Sequence, residues 1–146
     1  MRIKRILCGV DFSQESVAAF EAAVTMAKAF NAGLHILHVI EAYPVSPRLL
    51  PLSGIDEAIE AIEVKAAAAM QALIEPSRSA LEGIAVTTEI TSGRAFTEIL
   101  RCARERKVDL IILGAKGVGL VEDMVFGSTV ERVTKAATCS VFVARG

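Results

Sequence analysis

Five apolar runs of strand length, separated by stretches with helical periodicity, constrain this chain more than any other feature. Ile3 to Val10 is nearly continuously apolar through Ile6, Leu7, Cys8 and Val10 and stops at Asp11, as a strand covered on both faces does. Ser13 can cap a first helix, in which Val17, Phe20, Val24 and Ala27 recur at spacings of three and four until Asn31 and Gly33 end it. Leu34 to Ile40 is a second strand, and a helix between two strands implies a parallel βαβ unit. Ile55, Ile59, Ile62, Ala66, Ala69 and Leu73 form a second helical stripe running towards Pro76. Ile84, Val86, Thr88 and Ile90 alternate with more polar neighbours, which predicts a half-buried third strand near a sheet edge. A third helix carries Phe96, Ile99, Leu100 and Ala103, and Val108 to Leu113 is the fourth strand. Val130, Val133 and Ala137 line the last helix, and Ser140 to Ala144 is the fifth strand. This alternation predicts an α/β fold in one domain, residues 1–146, with a doubly wound and mostly parallel sheet.

Composition removes several function classes. The 146 residues are 53% hydrophobic and 23% charged with a net charge of -1, so there is no electrostatic stripe for nucleic acid. No apolar run approaches the roughly 20 residues of a membrane helix, and MRIKRILCGVDF lacks a signal-peptide core. A cytoplasmic protein is expected. Cys8, Cys102 and Cys139 make no CxxC pair and are odd in number, so they are expected as small buried apolar residues. His35 and His38 are three apart in a strand and point to opposite faces, which argues against a metal held by the pair.

Two segments stand outside the regular pattern. Glu41 to Gly54 contains Pro44, Pro47 and Pro51 and is expected as a loop; Leu49, Leu50 and Leu52 either fold back onto the domain or pack over a pocket or a partner. The second, Gly114 to Thr129, GAKGVGLVEDMVFGST, joins the fourth strand to the last helix. Unpaired N–H groups at a helix start and glycines that admit close approach make an anion site there. A Walker loop does not fit, because Gly119 is followed by Leu120, and Gly114, Gly117 and Gly119 do not give GxGxxG. The spacing is GxxG, nine residues, then Gly-Ser, at Gly114, Gly117, Gly127 and Ser128. Taken alone, such a loop could equally serve only to turn the chain. In a doubly wound sheet, ligands bind beyond the carboxyl ends of the strands. Asp11, Glu41 and Gly114 follow strands one, two and four and so belong to one end of the sheet. Asp11 fits two roles, ligand contact and helix capping.

The glycine spacing resembles the ATP-binding signature of the universal stress protein family. ILCGVDFS, LHILHVIE, VDLIILGAKG and GSTVERV extend the resemblance over nearly the whole chain. It implies a three-layer, Rossmann-like, five-stranded sheet of order 3-2-1-4-5. It further implies that Gly9 and Asp11 line the base and ribose side, that the backbone of Val39 recognises adenine, and that Leu113 and Gly114 border the ribose. Gly117, Gly127, Ser128 and Thr129 would hold phosphates, and Mg²⁺ or Mn²⁺ would accompany ATP (or ADP or AMP). The chain departs from the family pattern at Val118, where a basic residue is usual and Lys116 lies two positions earlier, and at Ser140, usually proline.

The expected function is that of an ATP-binding stress-response regulator, a nucleotide-dependent switch with slow or no hydrolysis, acting on a regulatory protein partner that the sequence does not name. An ATP-using hydrolase or transferase is the alternative, with Glu122 and Asp123 as candidate acids; a dimeric interaction module without nucleotide is the third reading. Any enzymatic activity would be at most that of a weak ATPase. An edge strand at Val141 to Ala144 would expose unpaired backbone groups, and a homodimer through it is expected both on that ground and from the resemblance.

Overall fold

A computed structural model describes residues 1–41, 52–116 and 126–146 of the chain. Its elements run in the order β1 (Arg5–Val10), α1 (Gln14–Phe30), β2 (Gly33–Ile40), α2 (Leu52–Ile74), a 3₁₀ turn (Glu75–Ser77), β3 (Val86–Ser92), α3 (Ala95–Glu105), β4 (Leu110–Gly114), α4 (Ser128–Ala136) and β5 (Ser140–Ala144). The five strands form one sheet of order β3-β2-β1-β4-β5, every neighbouring pair parallel. The α/β fold and the 3-2-1-4-5 order are therefore as expected, with β3 and β5 at the edges.

Successive side chains of a strand point to opposite faces, and here that alternation builds two cores. Ile6, Cys8, Val10, Leu34, Ile36 and Ile112 meet Phe20 and Ala23 of α1 and Met70 of α2 on one face. Leu7, Leu37, Ile111 and Leu113 meet Ile99 and Cys102 of α3 and Val130 and Val133 of α4 on the other. The result is three layers with β1 at the centre. Among the described residues no helix is long and apolar enough to cross a membrane.

The start of α1 shows why its sequence turns where it does. Ser13 Oγ accepts from the Ser16 N–H at 3.2 Å, while the Asp11 carboxylate accepts from both the N–H and the hydroxyl of Ser13 at 3.0 and 2.5 Å. Phe12 between them has φ 65°, a left-handed conformation rare for a bulky residue. Those Asp11 bonds brace it, and its ring rests 4.5 Å from that of His38. At the other end Asn31, φ 52°, closes the helix.

Element ends differ from the sequence reading in ways that have physical reasons. α2 begins at Leu52, so residues 52–54 of the expected loop are helical, Gly54 included; Leu49 and Leu50 lie outside the described residues. Pro76 sits in the first turn of the 3₁₀ segment, where its missing N–H costs nothing. β3 starts at Val86, because the Ile84 N–H is used in a turn to the carbonyl of Leu81 at 2.9 Å. β4 starts at Leu110, because the preceding Asp109 turns its carboxylate to the N–H groups of Lys4 and Arg5, at 2.8 and 2.9 Å.

Cys8 and Cys102 are buried as expected, and burial pushes the Cys8 thiol up to about 12. Cys139 is only half-buried, because it lies just outside β5 rather than inside the sheet.

Candidate functional site

The carboxyl ends of β1, β2 and β4 open onto a cleft of about 460 Å³. Gly9, Val10 and Asp11 come from β1 and its exit, Leu37 to Glu41 from β2, and Leu113, Gly114 and Lys116 from β4 and its exit. Gly127, Ser128, Thr129 and Val130 at the start of α4 close one side, and Ala95 and Ile99 of α3 form part of the wall. The topology produces this arrangement: β1 continues into α1 on one face and β4 into α4 on the other, so the connections part and leave a crevice between them. Of the residues expected from the sequence, Gly9, Asp11, Val39, Leu113, Gly114, Gly127, Ser128 and Thr129 all line this one cleft. Gly117 lies outside the described residues, as do Val118, Glu122 and Asp123.

The start of α4 is the cleft's most distinctive feature. Gly127 precedes the helix in extended backbone, φ -76° and ψ 166°, and brings no side chain to cap it. Its own N–H donates to the Ala115 carbonyl at 2.8 Å, which pins the helix start to the end of β4. The N–H groups of Ser128, Thr129 and Val130 have no carbonyl partner within their own helix. Three first-turn donors, two side-chain hydroxyls and the positive end of the helix dipole therefore converge at the cleft.

Two glycines owe their identity to packing. A Cβ on Gly9 would stand 2.7 Å from the Leu113 side chain. One on Gly114 would stand 2.6 Å from the Glu15 carbonyl carbon and 2.9 Å from the Ser16 nitrogen. Gly114 thus lets the first turn of α1 lie directly on the end of β4, a role the motif alone does not reveal.

Asp11 fills the capping role left open in the sequence, bracing Ser13, and also lines the cleft. Glu41 has a comparable task on the other side: its carboxylate accepts from the Ala95 N–H at 3.0 Å and so caps the start of α3. Both carboxylates are engaged with helix starts, while Lys116 brings a positive charge into the same space.

Sequence reasoning brought Glu41 to this end of the sheet but missed His38 and Ala95 as cleft residues. His38 donates from Nδ1 to the Val10 carbonyl at 2.8 Å, since a carbonyl can only accept, and this assigns the tautomer of the neutral ring. A register in which His38 is opposite Val10 was the available signal, and no residue pattern announces it.

The profile of the universal stress protein family matches residues 2–145. The chain belongs to that family. Among curated relatives it is 33% identical over 143 residues to universal stress protein MJ0531 of Methanocaldococcus jannaschii, covering 97% of this chain and 82% of that one. It is also 31% identical to universal stress protein YxiE of Bacillus subtilis, over 97% of this chain and 98% of the relative. Among solved structures, universal stress protein UspA from Lactobacillus plantarum superposes with a TM-score of 0.83 at 29% identity, covering 99% of each chain. The same fold, at 19% identity in both cases, occurs in a universal stress protein in complex with cAMP, with a TM-score of 0.70 and coverage of 99% and 98%. It occurs also in one from Archaeoglobus fulgidus in complex with dAMP, with a TM-score of 0.66 and 99% of each chain covered.

Proposed function

We propose that this universal stress protein binds an adenine nucleotide, ATP foremost, in the cleft beyond β1, β2 and β4, and that the bound nucleotide favours one state of the protein in regulation. The observation that carries the reading is the start of α4, where Gly127 supplies no side-chain cap, opening into a cleft of about 460 Å³, within the roughly 300–1,000 Å³ range of small-ligand sites. Members of the same fold family in complex with cAMP and with dAMP add support for the ligand class. In this reading the triphosphate lies across Gly127, Ser128 and Thr129, joined by Gly117. The ribose sits between Asp11 and Gly114 beside Gly9 and Leu113, and the adenine meets the backbone of Val39. Lys116 supplies the positive charge that Val118 does not. Mg²⁺ or Mn²⁺ comes with the nucleotide, held chiefly by its phosphate oxygens and water.

Such a ligand acts as a switch to the extent that it binds one conformation or assembly better than another. In this reading hydrolysis is slow or absent; efficient turnover would call for a group that positions water at the γ-phosphate, and a phosphate-release assay reads it directly. Calorimetric titration of nucleotide-stripped protein with ATP, ADP, AMP and GTP in the presence of Mg²⁺ tests the reading. Saturable binding of one adenine nucleotide per chain, with GTP weaker, is expected; no binding by intact protein would overturn it.

The assembly expected is a homodimer formed through β5. This strand is at the sheet edge, and Phe142 on it is 39% exposed, large for an apolar side chain on an open strand. Light scattering at micromolar concentration should give twice the chain mass, and a monomer there counts against the pairing.

A further inference from the structure

We propose that His35, Glu89 and Cys102 form a binding site for a divalent cation of the zinc class, separate from the cleft. The three come from β2, the edge strand β3 and α3, and each offers one ligand atom, all within 4.8 Å of one another. His35 Nε2 is 3.2 Å from Glu89 Oε1, and Cys102 Sγ is 3.9 Å from the same oxygen. Zinc bonds of about 2.0–2.3 Å place neighbouring tetrahedral ligands roughly 3.5 Å apart, so side-chain adjustments alone bring the three atoms to an ion. Imidazole, carboxylate and thiol together are the donor set of a borderline-soft metal, which a magnesium site does not use.

The groups around these three are arranged as supports. His35 Nδ1 lies 2.7 Å from Thr87 Oγ1; when Nε2 takes the ion, Nδ1 carries the ring proton and donates to that hydroxyl oxygen, which fixes the ring. Glu89 gives its other oxygen, Oε2, to Arg101 at 2.8 Å, which leaves Oε1 directed at His35 and Cys102. Arg101 is itself shared with Glu98 and Glu105, so its charge is divided among three carboxylates, while Arg106 adds a positive charge felt by His35 and Cys102. Burial keeps the His35 imidazole below its ordinary pKa, an effect only partly offset by its bond to Glu89, so the ring is neutral as a ligand must be. Burial also pushes the Cys102 thiol up to about 11; a coordinating cation displaces that proton outright. His35 and Cys102 are buried while the Glu89 side chain is 28% exposed, so the ion arrives from the open side of β3 and a water completes its shell there.

Titration of metal-stripped, nucleotide-free protein with Co²⁺, followed by absorption, tests the proposal because a cobalt–thiolate bond gives a charge-transfer band that nitrogen and oxygen ligands do not. One equivalent of Co²⁺ should produce the band, one equivalent of Zn²⁺ should abolish it, and Cys102→Ser should lose it while keeping its circular dichroism. The Cys8→Ala/Cys139→Ser variant, with Cys102 as its one thiol, should retain the band even if Cys102→Ser fails to fold. No band in the unaltered protein, a band that survives in folded Cys102→Ser, or its loss from a folded Cys8→Ala/Cys139→Ser variant would each overturn the assignment, leaving a hydrogen-bonded cluster.

Discussion

Replacing Gly127 by valine is expected to weaken ATP binding by about 100-fold or more, equivalent to roughly 2.7 kcal/mol, with the fold retained. The conformation at this position, φ -76° and ψ 166°, is extended backbone that a β-branched residue adopts readily, so the backbone itself gives no reason for unfolding. What changes is the approach to the start of α4. A phosphate must come within about 3 Å of backbone N–H groups to be held by them, and an isopropyl group beside the first turn takes up that space. The loss should fall mainly on phosphate contacts, so ATP and ADP affinities should drop further than that of adenosine. Calorimetry on Gly127→Val beside the unaltered protein, with circular dichroism as the check on folding, reads both. An ATP affinity within threefold of the original in a folded variant would remove α4 from the site.

Gly114→Ala should act on stability and do so strongly, by about 3 kcal/mol or more. The added methyl would meet the Glu15 carbonyl carbon at 2.6 Å, its oxygen at 2.7 Å and the Ser16 nitrogen at 2.9 Å, all backbone atoms of the first turn of α1. A flexible side chain could rotate away from such a contact, but a helix can only move as a body. Moving α1 would loosen Ala19, Phe20 and Ala23, each nearly or fully buried against the sheet, and would disturb the Glu15 carboxylate that accepts from the Gly146 N–H at 2.7 Å. Urea denaturation should show a lower midpoint with an unchanged slope. A shift worth less than about 0.5 kcal/mol would mean that strand and helix separate freely at this point. Side by side, the two substitutions distinguish a glycine that admits a ligand from one that admits a helix.

That distinction is also where sequence reading reached its end. The alternation of apolar runs and helical stripes was legible because burial on two faces leaves a direct mark on residue type, as at Leu7, Cys8, Ile36 and Ile111. Strand order came from the family resemblance, since no local pattern states that β1 lies between β2 and β4. The cleft was legible through Asp11, Gly114 and Gly127, which sit at strand ends and at a helix start where turn chemistry shows in the sequence. Gly114 was set beside a ribose by the family resemblance, and its packing against Glu15 was not visible, because a glycine looks the same in sequence whether it makes room for a ligand or for a helix. His38 was missed as a cleft residue, and the capping role of Glu41 was not visible, because both depend on partners at Val10 and Ala95. The His35, Glu89 and Cys102 group was hidden for the same reason: β3 and α3 bring together residues 54 and 13 positions apart, and no short motif spans them. Element ends moved where a side chain captured backbone groups, as Asp109 does ahead of β4.

The central position of β1 also bears on how the molecule comes into being. Its outer neighbour β2 follows after a single helix, but its other neighbour β4 is far away in sequence; the bonds from Arg5 to Asp109 join residues 104 positions apart. A chain emerging from the ribosome can therefore pair β1 with β2 early, while half of β1's hydrogen-bonding edge waits for β4 and α4 to be synthesised. During that interval a central strand, apolar and buried after Arg5, stands with an open side, the arrangement in which non-local parallel pairing folds slowly and invites misassembly. The cleft exists only once the last third of the chain has docked. Any ligand of that cleft consequently recognises finished molecules alone, and by mass action deepens the native state against every incomplete one.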